Sequence, residues 1–259
     1  MACRLFELVF EFNPFDSIPM LLRLQNAFRS MTSMIREQER TANNLANANT
    51  IGYKQDRTFT ATLEEYLDVE GGPQSDRRTE QWASLEQGAF EATGGPLDVA
   101  IENDGFFVLT DQEGGPERYT RAGRFTQDDQ GMLRSPGGQL VEGLNGPIQI
   151  PRDAATIAIQ ADGTIRADDQ PVGTLRLVRF ENPMALTRVD GAAFTADGAE
   201  PLEVEQPSVR QGFIETSNVD PIREMTEMIA HFRQFESQQK VLSTHDQILG
   251  HVTRELGKF

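Results

Sequence analysis

The chain has 259 residues, 40 of them acidic against 24 Lys and Arg, which gives a formal charge of −16 at pH 7. That balance excludes nucleic-acid binding through a basic surface, because affinity for phosphate backbones comes from the Lys and Arg that neutralise them. One cysteine, Cys3, excludes an internal disulfide and a Cys-based zinc site, and no stretch approaches the roughly 20 apolar residues of a membrane-spanning helix, so no membrane insertion is expected.

The charge is unevenly distributed. Residues 1–60 carry 7 basic and 6 acidic side chains, residues 61–215 carry 12 and 28, and residues 216–259 carry 5 and 6, so the whole negative balance sits in the centre. Glycine follows the same partition, with 19 of 22 between 61 and 215, and no proline occurs from Met20 to Gly72 or after Pro221. This pattern predicts an α+β chain: a Gly/Pro-punctuated β centre between two helical ends.

In chain order, Leu24, Phe28, Met31, Ile35, Ala42 and Leu45, with polar Gln38 in the stripe, recur three or four apart and predict an N-terminal helix with one seam, closed near Ile51-Gly52. Extended from Met20 to Thr50, it would run roughly 46 Å. It is followed by a connector at 53–85 and a compact antiparallel domain at 86–215. Strands are expected at 97–101, 106–109, 117–125, 132–134, 139–142, 156–160, 164–166 and 174–180, between turns such as Asn103-Asp104-Gly105 and Asp162-Gly163. Asp220-Pro221 then supplies an N-cap and a first-turn proline. Met225, Met228, Phe232, Phe235, Leu242, Leu249 and Val252, with Ile229 and Ile248 beside them, predict a second helix from Pro221 to Leu256. Two long seams in one chain lead to the expectation that the N- and C-terminal helices (20–52 and 216–259) pair as a coiled coil.

No catalytic constellation assembles from these residues. Ser243, Thr244, His245 and Asp246 are consecutive on a helix and point in different directions around it. The three histidines, His231, His245 and His251, lack the spacing that puts two ligands on one helical face. Acidic turns at Asp128-Asp129 and Asp162 lack an EF-hand ligand series. A secreted carbohydrate-active or calcium-binding β-domain enzyme, using carboxylates such as Asp98, Asp104, Asp128 and Asp162, is the alternative of a different class. The expectation is no enzyme activity, no cofactor, no metal and no small-molecule substrate.

The run Ala42-Asn43-Asn44-Leu45-Ala46-Asn47-Ala48-Asn49-Thr50 is unusual, since asparagine is a mediocre helix former. A solvated helix end would tolerate it; packed helices could use such amides to fix register. Together with Ile51-Gly52-Tyr53-Lys54, this run resembles the N-terminal signature of bacterial flagellar rod and hook axial proteins. Residues 87–101, Asp104-Gly105-Phe106-Phe107-Val108 and Tyr119-Thr120-Arg121-Ala122-Gly123-Arg124-Phe125 resemble that family's core motifs. Gln211-Gly212-Phe213-Ile214-Glu215-Thr216-Ser217-Asn218-Val219 is similar to its entry into the C-terminal helix. Within the family, residues 143–151 and the short centre are more like proximal-rod members than distal-rod or hook members.

The resemblance implies a structural subunit that assembles with itself and with other rod and hook proteins. It also implies passage through the flagellar type III export apparatus without a cleaved signal, and residence in the periplasmic rod of the basal body. The inter-subunit and helix-packing residues it implies are the two seams (Leu24, Phe28, Met31, Ile35, Leu45; Met225, Met228, Ile229, Phe232, Phe235, Leu242, Leu249, Val252) and Asn43, Asn44, Asn47 and Asn49. Residues 1–19 have no counterpart in the family pattern and read as an upstream start-site artefact. The near-neutral ends can pack against many copies of themselves, while the acidic centre stays solvated.

Overall fold

A computed structural model describes residues 18–64, 75–112, 114–182, 185–196 and 198–256; residues 1–17, most of the expected extra segment, lie outside them. The described chain is α+β, with a helix at each end and antiparallel sheets between. It divides into two units, one formed by residues 42–225 and the other by the outer parts of the two helices.

The larger unit is built around the strand Phe106–Thr110, which pairs with Arg118–Thr120 on one side and Leu140–Gly143 on the other, and also with Leu177–Arg179. Successive side chains of a strand point to opposite faces. Phe107 and Leu109 therefore enter one core with Val99, Phe125, Val141 and Leu175, while Phe106 and Val108 enter another with Tyr119, Val178 and Phe194. With both faces covered, the segment reads in sequence as a continuous apolar run. A three-stranded meander, Ile157–Ile159, Thr164–Ala167 and Gln170–Thr174, closes the first core through Ile159 and Ile165.

Several strands lie where no strand was expected. Asp56–Glu64 pairs with Ser75–Ala83 inside the expected connector. Phe90–Ala92 pairs with Phe213–Glu215, and Val209–Gln211 pairs with Val99–Ile101. Each of the latter has three residues, too few to show a period of two, and each is defined by a partner more than 100 residues away.

The first helix, α1, spans Ile18–Ala46 and the second, α2, spans Pro221–Leu256. α2 begins as expected: the Asp220 carboxylate accepts from the backbone amides of Ile222 and Arg223, and its carbonyl accepts from that of Glu224. α1 stops six residues short of Gly52. The Asn47 amide is shared between the carbonyls of Asn43 and Asn44, and further turns follow from Ala48 to Thr50. Asparagine competes for its own backbone and favours turns over helix interior, so the run ends the helix.

The coiled-coil expectation is overturned. Phe28, Ile229 and Phe232 are 60%, 55% and 50% exposed, and Ile35, Met225, Val241 and Ile248 are also exposed, where a shared seam would bury them. The ends of the helices nearest the β domain are joined by an ion pair, Arg40 to Glu227 at 3.6 Å, and Met31, Met228, Phe235 and Leu242 are only half-buried. Apolar spacing shows only that each helix has side chains to bury, and in this protomer Phe28, Ile35, Met225, Ile229 and Phe232 are left in water. A coiled coil needs a single stripe repeating every 3.5 residues.

Candidate functional site

The most distinctive constellation of the chain is a buried charge network where both helix roots enter the β unit. Its centre is Glu215, carried inward by the strand Phe213–Glu215 and fully buried. One carboxylate oxygen accepts from Lys54 Nζ at 2.5 Å and from the Gly88 amide at 2.9 Å. The other accepts from an Arg121 guanidinium nitrogen at 3.3 Å. Lys54 also donates to the Glu86 carbonyl at 2.7 Å. Lys54 and Arg121 are themselves buried, and Arg121 stacks over the Phe106 ring at 5.4 Å. Burial pushes both cations below their ordinary pKa values, and the Glu215 charge pulls in the opposite direction.

The backbone approach that allows this depends on glycine. Gly52 sits at φ +67°, and a Cβ there would lie 2.3 Å from the Ala122 nitrogen. In its absence the Gly52 amide reaches the Glu215 carbonyl at 2.8 Å. The two residues after Gly52, Tyr53 and Lys54, are then delivered into the interior.

A second tier of polar contacts surrounds this centre. Asn44, the buried member of the asparagine run, donates to the Asp56 carbonyl at 3.0 Å and accepts from the Asp56 amide at 2.9 Å. Asn218 accepts from the Gln55 amide at 2.7 Å and donates to the carbonyls of Ser84 and Glu86, both at 2.9 Å. Gln55 donates to Glu224 in the first turn of α2 at 2.6 Å. Arg188 covers the outside, pairing with Asp56 at 2.9 Å, donating to the Lys54 carbonyl, and lying 4.2 Å from the Tyr53 ring centre.

The residues singled out from sequence are placed differently from one another. Asn44 enters the network, whereas Asn43 and Asn49 are exposed and Asn47 bonds back to the Asn43 carbonyl. Asn44 holds the strand that follows α1 and not another helix. Met31, Leu45, Met228, Phe235 and Leu242 are half-buried. The side chains of Leu24, Leu249 and Val252 lie outside the described residues. The acidic turns have structural partners: Asp128 accepts from its own turn and from Arg134, and Asp98 accepts from the Thr93 hydroxyl. Among the described residues no three His, Cys, Asp or Glu side chains form a group able to hold a metal. Thr244 bonds to the carbonyl one turn back. Lys54, Arg121 and Glu215 all stand in the family motifs, yet as a site they were missed. The available signal was the few charges embedded in the glycine- and aromatic-rich motifs: Lys54, Glu215, and Arg121 beside Arg124.

Three family models match the chain, and each contributes one charge of the network. "Flagella basal body rod protein" matches residues 24–54 and includes Lys54; "Flagellar hook protein FlgE/F/G D1 domain" matches 100–167 and includes Arg121. "Flagellar basal body rod FlgEFG protein C-terminal" matches 210–255 and includes Glu215. The flagellar basal-body rod protein FlgF of Salmonella typhimurium is 32% identical over 249 residues, covering 90% of this chain and 97% of its own length. The chain belongs to the flagellar basal-body rod protein family. FlgG of Bacillus subtilis is likewise 32% identical, over 259 residues, covering 89% of this chain and 97% of its own, and FlgF of Escherichia coli is 33% identical over 248. The two kinds of rod protein thus match equally well. As a member of this family the chain is a structural subunit of the flagellar basal body, built to assemble with other rod and hook proteins.

Two outcomes follow from the network. Glu215→Ala leaves two buried cations without their carboxylate, and urea denaturation is expected to show a loss of roughly 3–5 kcal/mol, the range for breaking a buried pair from one side. Burial also raises the Tyr53 and Tyr119 phenols to about 12. A raised folded-state pKa contributes stability that is complete below the unfolded value near 10 and is lost as pH climbs toward 12. Near-ultraviolet titration should show the phenols of Tyr53 and Tyr119 ionising late, and Tyr53→Phe and Tyr119→Phe should each remove one late step.

Proposed function

We propose that the chain polymerises into the rod through the exposed apolar faces of its two terminal helices, with neighbouring subunits covering what the protomer leaves in water. The observation that carries this is the set Phe28, Ile35, Met225, Ile229, Phe232, Val241 and Ile248, all exposed on helices rooted in a well-packed β unit. Each large apolar side chain taken out of water is worth about 1.5–3 kcal/mol. Repeated over many subunits, such contacts hold a filament, and head-to-tail contacts that do not close make it helical. The near-neutral charge of residues 1–60 and 216–259 supports the same reading, because close packing of copies meets little repulsion there.

In this reading the seam residues and the asparagine run form the packing layer between subunits. The acidic β domain of residues 86–215 faces outward in the periplasm, and the chain arrives through the flagellar type III export apparatus without a cleaved signal. The resemblance of residues 143–151 to proximal-rod members supports a place in the proximal segment.

Phe232→Asp is expected to abolish swimming and rod assembly while leaving the circular dichroism of the purified chain unchanged; normal motility in that variant would overturn the helix-mediated contact. Cryo-electron microscopy of basal bodies is expected to find the chain in the proximal rod with its helices innermost. Density in the distal segment, or the β domain innermost, would overturn the corresponding part of the proposal.

A further inference from the structure

The ten residues that lead into α2 touch more separate parts of the β unit than their length suggests. At one end, Val209 donates its amide to the Ala161 carbonyl. Gln211 bridges one strand and a turn, accepting from the Ile159 amide at 3.1 Å and donating to the carbonyls of Pro96 and Ile157 at 2.8 and 2.9 Å. In the middle, the Gly212 carbonyl accepts from the amides of Thr93 and Gly94, and the Gly212 amide donates to the Asp98 carbonyl. At the other end, Glu215 completes the Lys54 and Arg121 network, the Thr216 amide donates to the Ala89 carbonyl, and Asn218 ties Gln55 to Ser84 and Glu86.

The segment therefore supplies hydrogen-bond partners to the N-terminal junction near residue 52, to the strands near 90 and 100, and to the meander near 159. It pairs with them as two short, separate sheets of two strands each. Without it, Lys54 and Arg121 would be cations facing an interior with no carboxylate bonded to them, which is a strongly unfavourable state.

We propose that residues 209–218 act as a closing strap. The strand Phe106–Thr110 at the centre of the core keeps pairings of its own, with Arg118–Thr120, Leu140–Gly143 and Leu177–Arg179, while the strap adds Val209 to that core. The junction at Gly52–Gln55 and Ser84–Gly94 closes as one unit with the strap and opens as one unit when the strap leaves. A segment close to the end of the chain thereby controls when the root of α1, near its beginning, becomes fixed. This device goes beyond assembly into the rod and holds for the isolated protomer. Its physical basis is cooperative local unfolding, in which contiguous elements open together at less cost than the whole fold.

Hydrogen exchange on the full chain tests it. Gln211→Ala removes side-chain bonds to Ile157, Ile159 and Pro96 and none to Gly52, Gly88 or Glu215. The expected result is that the amides of Gly52 and Gly88, neither of which bonds Gln211, exchange faster together with residues 209–216, by roughly tenfold per lost bond's worth of stability. Amides of the core strands at Phe107, Leu109 and Val141 should keep their wild-type rates. Glu215→Gln, which retains shape and a hydrogen-bonding oxygen, tests the reverse direction: the Ile159 and Val209 amides should accelerate although they do not contact Glu215. If either variant affects only the residues it touches, the strap is not a cooperative unit. If the core amides accelerate equally, it is not separable from the global fold. Either result overturns the proposal.

Discussion

The fold turns on the burial of one carboxylate between two cations. Glu215 is separated from Lys54 by 161 residues and from Arg121 by 94, yet the three charges meet in a place from which water is excluded. Desolvating three ions is expensive, and it is tolerated only because nearly every lone pair of the carboxylate is engaged, by Lys54, Arg121 and the Gly88 amide. Arg121 keeps one nitrogen, Nε, without a hydrogen-bond partner among the described residues, and the Phe106 face beside the guanidinium offsets part of that cost. A hydrophobic cluster of the same volume could be as stable. It would not select the pairing so sharply, because a charge misplaced in a dry interior loses its counter-charge and its hydrogen bonds together.

The rest of the junction follows from that constraint. Chains can approach within hydrogen-bonding distance of Glu215 only where side chains are absent, as at Gly52 against Ala122. Asn44 and Asn218 then bond backbone groups of Gln55, Asp56 and Ser84 around that close approach. The result is a connection in which the last residues of α1 and the first residues of α2 belong to the β unit, so that each helix is fixed at its root. In this rod-family subunit polar specificity is spent inside the protomer, and the exposed apolar side chains of the helices are left for the contacts proposed between subunits.

Much of the organisation was legible in the sequence. The start of α2 and its long course were readable because the signals are local: a capping aspartate, a first-turn proline, and a glycine-free run up to Gly250. Phe106–Thr110 and Thr164–Ala167 were readable because their apolar pattern and flanking turns are local too. The end of α1 was misjudged because the seam continues through Leu45 while the asparagines around it already bond as turns. The coiled-coil expectation failed for a different reason. Apolar spacing shows that a helix has a face to bury, but the same spacing serves a partner in the same chain or in the next one. Phe28 and Phe232 remain exposed in the protomer.

Composition and local pattern alone determined the class of the protein: an acidic, glycine-rich β centre between near-neutral helical ends, without the residues that a nucleic-acid site or a cysteine metal site requires. The motifs added the family. Only the tertiary structure decided that Lys54, Arg121 and Glu215 form one site, that Asn44 is the asparagine that matters inside the protomer, and that residues 209–218 bind the whole junction together. The physical reason is range. Caps, turns and apolar periods act over a few residues and leave their mark in the sequence at that spacing, whereas a buried ion pair needs only one charge at each of two distant positions. A single charge has no pattern until the chain folds it against its partner.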